Sequence, residues 1–363
     1  MKAVTDKLLD GGTPMKIDTR LQAIFDKAWN SEPLTREDCK YLLGFSEKSY
    51  ECGLIRSTAA AVIRSKNDNS AIILGQVGVD IRPCPGGCKF CIFGEQHTAF
   101  KPIKMPREEL HTKIVDFCRE GDLYALYLMT MHEYDFEHFL GLIELARQVA
   151  PQTTQIWANV GDTSYERLQE IRAAGVTGVY HVCRLREGID TNLDPKKRVE
   201  TMHLALKAGL EVFTCCEPIG PEHTVDELVD NIYIGIEAGA TQHAAMNRIA
   251  VPGAPLARYG QISHLRLAQI TAVTGLASVT APTMKYMGVH EPSELGCMSG
   301  ANVVTAEAGA NPRDNTEDTV RGRGWDMAAC RRLLFECGFD YLRRGDESKI
   351  PLDFDYLLKT NSI

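Results

Sequence analysis

From about residue 70 onward, short apolar runs alternate with amphipathic segments, and the alternation repeats eight times. Strands are expected at 71–79, 123–130, 154–160, 176–183, 210–216 and 241–249, then near 277–282 and at 301–306. Helical periodicity falls at 107–119, 136–149, 163–174, 194–208, 224–238, 258–274, 290–299 and 325–337. Gly175, Gly209, Gly239 and Gly300 each close a helix and hand over to a strand. Strands that alternate with helices pair in parallel, because a parallel pair needs a crossover long enough to be a helix. Eight such units predict a (β/α)8 barrel of the TIM type, complete or nearly so, with working groups at the C-terminal ends of the strands.

The flanks are organised differently. Residues 1–66 read as a helical extension: Leu21, Ile24, Phe25 and Ala28 recur at helix spacing, a cap follows at Thr35, and a further helix is expected over roughly 47–64. The barrel is expected over 67–345 and a tail over 346–363. The stretch 308–324 has no periodicity and is expected to loop over the barrel mouth. At 44% hydrophobic and 24% charged, the chain can form a large core, which excludes disordered and fibrous classes. No run of 18 apolar residues exists, so no membrane span is expected. The first twenty residues lack the apolar core of a signal peptide, which makes a cytoplasmic location the expectation. A net charge of −8 disfavours nucleic acid as a partner.

Twelve cysteines in such a chain do not read as a disulfide framework. Three stand together in Arg82-Pro-Cys84-Pro-Gly-Gly-Cys88-Lys-Phe-Cys91, in the loop after the first barrel strand. Gly86 and Gly87 allow the tight fold by which three thiolates can converge. Soft thiolates suit an iron–sulfur cluster or zinc. A structural zinc wants four ligands, and the nearest fourth candidate is His97. Three buried structural thiols are the plainer alternative.

The C-x3-C-x2-C spacing, with Phe90 before the third cysteine, resembles the signature of the radical S-adenosylmethionine (radical SAM) superfamily. Across residues of about 45–340 the chain resembles the biotin synthase-like group, which includes biotin synthase, a hydrogenase maturase and methylornithine synthase. The stretches 173–180, Arg184 to Glu187, Arg198 and 296–302 carry that likeness. The resemblance implies that Cys84, Cys88 and Cys91 hold a 4Fe–4S cluster whose fourth iron chelates S-adenosylmethionine. Reductive cleavage would then give a 5′-deoxyadenosyl radical that abstracts hydrogen from substrate. It implies Phe90, Phe93, Arg184, Glu187 and Arg198 as cofactor contacts, with Arg186 the alternative to Arg184. It also implies anaerobic handling and a flavodoxin or ferredoxin as electron donor.

The match to biotin synthase fails at its second cluster, since the corresponding strands offer Leu128 or Met129 and Asn159 in place of cysteines. Cys183, Cys215, Cys216 and Cys297 are candidates for a differently built auxiliary cluster, as are Cys330 and Cys337, with Cys39 and Cys52 from the N-terminal helices. His132, Asn247, Arg248 and Lys285 are candidates for binding a small, carboxylate-bearing, anionic substrate. The reading is a radical SAM enzyme inserting sulfur in biotin- or lipoyl-type cofactor synthesis. The alternatives are carbon-skeleton rearrangement or metallocofactor maturation without sulfur insertion, and a non-catalytic metal-binding regulator. Monomer or homodimer is left open.

Overall fold

A computed structural model describes residues 17–363, so the first sixteen residues of the expected 1–66 extension lie outside the described residues. Eight parallel strands form the barrel: β1 (Ser70–Gly78), β4 (Ala125–Met129), β5 (Gln155–Asn159), β6 (Val176–Tyr180), β7 (Glu211–Phe213), β9 (Gln242–Asn247), β10 (Tyr286–His290) and β11 (Val303–Gly309). They pair in that order, and β11 returns to β1 with Ile72 opposite Val303 and Gly78 opposite Gly309, which closes the ring. Two short strands, β2 (Asp80–Ile81) and β3 (Ile103–Lys104), bracket the cysteine loop, and β8 (Cys216–Ile219) pairs with β9.

Period-two alternation sorts the side chains. One set fills the barrel: Ile72, Leu74, Tyr124, Tyr127, Trp157, Phe213, Tyr286 and Val303. The other packs outward beneath the helices, as Ile73, Leu126, Ile156, Val179, Val212 and Val304 do. Gly178 on β6 is required by this packing, since a Cβ there would lie 2.5 Å from the Trp157 ring.

The helical extension comprises α1 (Thr19–Trp29), α2 (Arg36–Leu43) and α3 (Tyr50–Lys66). Leu21, Ile24, Phe25, Ile55 and Ile63 pack with Leu267, Ile270 and Val273 of the barrel helix His264–Val279. At the other terminus a hairpin of β12 (Tyr341–Arg343) and β13 (Lys349–Pro351) adds to the start of β1. Its turn carries Glu347 under the barrel, where it accepts from the hydroxyls of Tyr124 (3.0 Å) and Tyr286 (2.7 Å).

The structure moves three sequence boundaries. The seventh strand lies at Tyr286–His290, not near 277–282, because His264–Val279 is helical to its end and buried nearly all round. The segment expected to be helical over 290–299 contains only Glu294–Cys297. The fifth strand breaks after Phe213 and resumes at Cys216. No described helix is long and apolar enough to cross a membrane.

Candidate active site

The cysteine loop leaves β1 at its C-terminal end and is stitched to the rim by backbone bonds. Lys89 N–H donates to Asp190 C=O (2.9 Å), Asn192 N–H to Gly86 C=O (2.8 Å) and Leu256 N–H to Lys89 C=O (2.9 Å). Ile92 N–H reaches Pro312 C=O at 3.2 Å. Loops after β6, β9 and β11 therefore all hold it. Gly87 has φ +57°, and a Cβ there would lie 2.3 Å from Asn192, so glycine is needed for the turn.

Cys84, Cys88 and Cys91 line one cavity of about 100 Å3, together with Phe90, His132, Asn159, Tyr180, Arg184 and Arg198. Burial pushes the Cys88 thiol up to about 11, against the Arg184 guanidinium that draws it down. Burial raises Cys91 as well, while the N–H of Phe93 donates to its sulfur at 3.4 Å. His97 Nε2 sits 2.6 Å from the Cys91 carbonyl oxygen, so its ring is engaged with backbone. Among the described residues no three His, Cys, Asp or Glu side chains gather as a single metal ion requires. The three thiols stand around a space instead, an arrangement suited to a polynuclear cluster.

One wall is a buried charge cluster after β6. Arg198 donates to Asp162 (2.8 Å) and to the Val182 carbonyl (2.9 Å), and its Nε lies 3.7 Å from Glu187. Glu187 accepts from the Arg184 backbone N–H (2.9 Å) and the Thr191 hydroxyl (2.7 Å). Arg184 lies 3.3 Å from Glu217 and 3.7 Å from Glu187, and it sits over the Phe90 ring at 6.0 Å. Burial works against the Arg184 charge, but Glu187 and Glu217 outweigh it and raise its pKa. Its Nε has a carboxylate nearby but no aligned hydrogen bond among the described residues. Burial likewise opposes ionisation of Asp162, yet His181 and Arg198 hold it well below the usual carboxylate range. Burial and Arg198 push His181 down to about 3, so its imidazole is neutral.

A second cluster faces this one. Arg313 donates to Glu291 (2.7 Å) and Glu307 (2.6 Å); Arg323 donates to Glu307 (2.9 Å) and to Glu291. Both arginines come from the stretch expected to loop over the mouth, and the four charges fasten it there.

The structure redistributes several expected roles. Arg184 and Phe90 face the cavity, whereas Phe93 is core, packed with Ile81, Ile92 and Val251. Glu187 has both oxygens engaged by neighbours, which makes it a positioning residue and not a free acceptor. Arg186 turns away to Glu227 at 2.6 Å. His132 lines the cavity. Arg248 is not available to a ligand, being fully buried and bound by Glu222 and the Gly260 carbonyl. Asn247, also buried, has its Oδ1 unpaired among the described residues. Lys285 is a correction: it precedes β10 and so sits at the opposite barrel end, paired with Glu211 at 2.8 Å.

Four of the auxiliary-cluster candidates, Cys183, Cys215, Cys216 and Cys297, are not brought together. Cys215 lies inside the barrel, Cys216 in the layer outside it, Cys183 against the Pro195 carbonyl and Cys297 beside Cys337. Sequence reasoning missed Tyr180, Glu217, His290, Arg313 and Arg323. Strand register would have revealed Tyr180 and His290 as facing inward, whereas Arg313 and Arg323 lie in a loop that carries no such signal.

No family model matches the chain, and no curated protein matches it in sequence. Solved structures do. Methylornithine synthase superposes with a TM-score of 0.73 at 16% identity, covering 87% of this chain and 96% of that one. The FeFe-hydrogenase maturase HydG gives 0.71 at 14% identity, covering 93% and 78%. HydG from Carboxydothermus hydrogenoformans gives 0.70 at 14%, covering 88% and 78%. The closed barrel is what they share with this chain.

Proposed function

We propose that this chain is a radical SAM enzyme acting on a small molecule. The observation that carries the reading is the convergence of Cys84, Cys88 and Cys91 on a cavity that Arg184 also lines, at the C-terminal rim of a barrel shared with methylornithine synthase and HydG. Three thiols around one space and a guanidinium with an unaligned Nε fit a 4Fe–4S cluster with S-adenosylmethionine. When bound, that pair supplies one-electron cleavage of a C–S bond and hence hydrogen abstraction from an unactivated carbon.

The chain's own residues do the rest. Arg184 is placed to take the cofactor carboxylate by charge-assisted bonds. Glu187, Arg198 and Asp162 fix its position from behind. Phe90 supplies an aromatic face under it. Tyr180 donates to Glu217, which keeps that carboxylate turned towards Arg184. The clasp of Arg313 and Arg323 on Glu291 and Glu307 covers the mouth and limits solvent.

Among reactions, rearrangement or metallocofactor maturation without sulfur insertion is favoured, because Cys183, Cys215 and Cys216 stand apart, and the thiols that do lie together, Cys297, Cys330 and Cys337, are packed in the outer layer and do not line the cavity. A flavodoxin- or ferredoxin-type donor would supply the electron near Lys89, which is exposed beside the cysteine loop. The test is anaerobic reconstitution. The expected result is about four iron and about four sulfide per chain, with 5′-deoxyadenosine formed under reductant. Reconstituted, reduced protein that makes none, or that holds tetrahedral zinc, overturns the proposal.

A further inference from the structure

Beneath the cysteine cavity, three polar side chains turn into the barrel and meet no partner. Tyr127, His290 and Thr305 are exposed by only 3%, 8% and 5%. The Tyr127 hydroxyl, His290 Nε2 and Thr305 Oγ1 have no hydrogen-bond partner among the described residues. They belong to one layer. Gly288 pairs with Val303, so two residues further on His290 comes level with Thr305. Phe213 links the other side: its ring stacks on His290 at 6.3 Å and meets Tyr127 edge-on at 6.4 Å. Tyr180, which lines the cysteine cavity, packs against Phe213 at 5.2 Å and His290 at 6.5 Å. The layer thus lies against Tyr180, a side chain of the cavity wall.

A buried polar atom without a partner carries its full desolvation cost, and native interiors seldom leave several together. The layer is also uncharged. Burial, and then Arg313, push His290 down to about 3, so its imidazole is neutral beside a phenol and an alcohol. The ions nearest His290, Arg313 and Glu307, are already paired with each other, and Glu211, the ion that acts on the Tyr127 hydroxyl, is held by Lys285. A charged ligand group would lose its hydration here with no free counter-charge, whereas a neutral group able to donate and accept would satisfy the orphans.

We propose that Tyr127, His290 and Thr305 form the deep end of the substrate site and receive an uncharged donor–acceptor group, such as a carboxamide, urea or hydroxyl, between aromatic walls. The inference rests on the radical SAM reading of the cavity above, and it leaves any substrate carboxylate at the rim.

The test uses reconstituted holoenzyme and two probes, imidazolidin-2-one and propionate, titrated by saturation-transfer NMR. The cyclic urea is expected to bind about 10-fold more tightly than propionate, and Tyr127→Phe and Thr305→Val are each expected to weaken it by about 10-fold. The same substitutions should leave the probe-free melting temperature level or higher, since each removes an orphan, and the urea should raise the melting temperature of the parent alone. Equal binding of propionate, or unchanged urea binding in both variants, overturns the inference. So does no urea binding together with a lowered melting temperature in Thr305→Val, which would mark a buried water only. Measuring 5′-deoxyadenosine in the same preparation separates the two readings. Absent cleavage sinks the enzyme proposal, whereas intact cleavage without urea binding sinks this one.

Discussion

Two buried charge clusters face each other across the barrel mouth, and they are built to different ends. Around Glu291 and Glu307, each guanidinium serves two carboxylates and each carboxylate serves two guanidiniums. All four carboxylate oxygens are taken by the two arginines. Around Arg184 the balance is uneven: Glu187 is saturated by Thr191 and backbone, while the Arg184 Nε lacks an aligned partner and its side chain keeps 22% exposure beside the cysteines. A closed network fastens chain to chain. An unfinished one waits for something to complete it. Under the proposed reading, recognition belongs to the cysteine side and closure to the other.

The sharpest way to break this contrast is at the cysteines. Cys88→Ala is expected to abolish cluster assembly and 5′-deoxyadenosine formation while the far-UV spectrum and melting temperature stay near those of the parent. A variant that still cleaves the cofactor at the parental rate would remove the cysteine side from the chemistry. The clasp should respond in the opposite way. Arg323→Met leaves two buried carboxylates short of one cation and is expected to cost about 3 kcal/mol in urea unfolding, with Glu291→Gln recovering much of it in the double variant. A loss confined to activity, with unchanged stability, would mean that the clasp is a site after all.

Protonation sharpens the comparison further, because a neutral histidine sits in each corner. His181 and His290 are pushed down to about 3, and His243, elsewhere on β9, to about 4. An unfolded histidine takes its proton near 6.5, so between that value and about 4 the unfolded chain binds more protons. Their contribution is complete above about pH 6.5 and is lost as pH falls. With three such groups the slope approaches about 4 kcal/mol per pH unit, and His181→Asn should reduce it by about a third. A flat stability profile over that range would show the imidazoles charged in the fold. The smallest effect is expected at Arg186, whose pair with Glu227 lies outside both corners and is partly exposed. Arg186→Ala should cost about 0.5 kcal/mol and leave cofactor cleavage intact.

The barrel was legible because strands buried on both faces read as apolar runs, and helices between them do not. The seventh strand was misread for a related reason: His264–Val279 is buried along nearly its whole length, so its last residues imitate a strand, while Tyr-Met-Gly-Val-His is short and carries a glycine. The cysteine loop was legible because its spacing is local. Arg313 and Arg323 were not, since a loop without periodicity gives no hint of what lies under it. Tyr127, His290 and Thr305 needed the register, as a shift of one residue sends a strand side chain to the other face. Lys285 was misplaced with its strand: a residue assigned after a strand proved to precede it.

Glu347 stoppers the base of the barrel with a carboxylate shared by two tyrosines. A ligand of the interior is therefore expected to enter at the opposite rim, beside the cysteine loop. On the proposed reading, a molecule that settles deep would have to arrive before one that settles at the rim, so the order of entry would follow from the architecture.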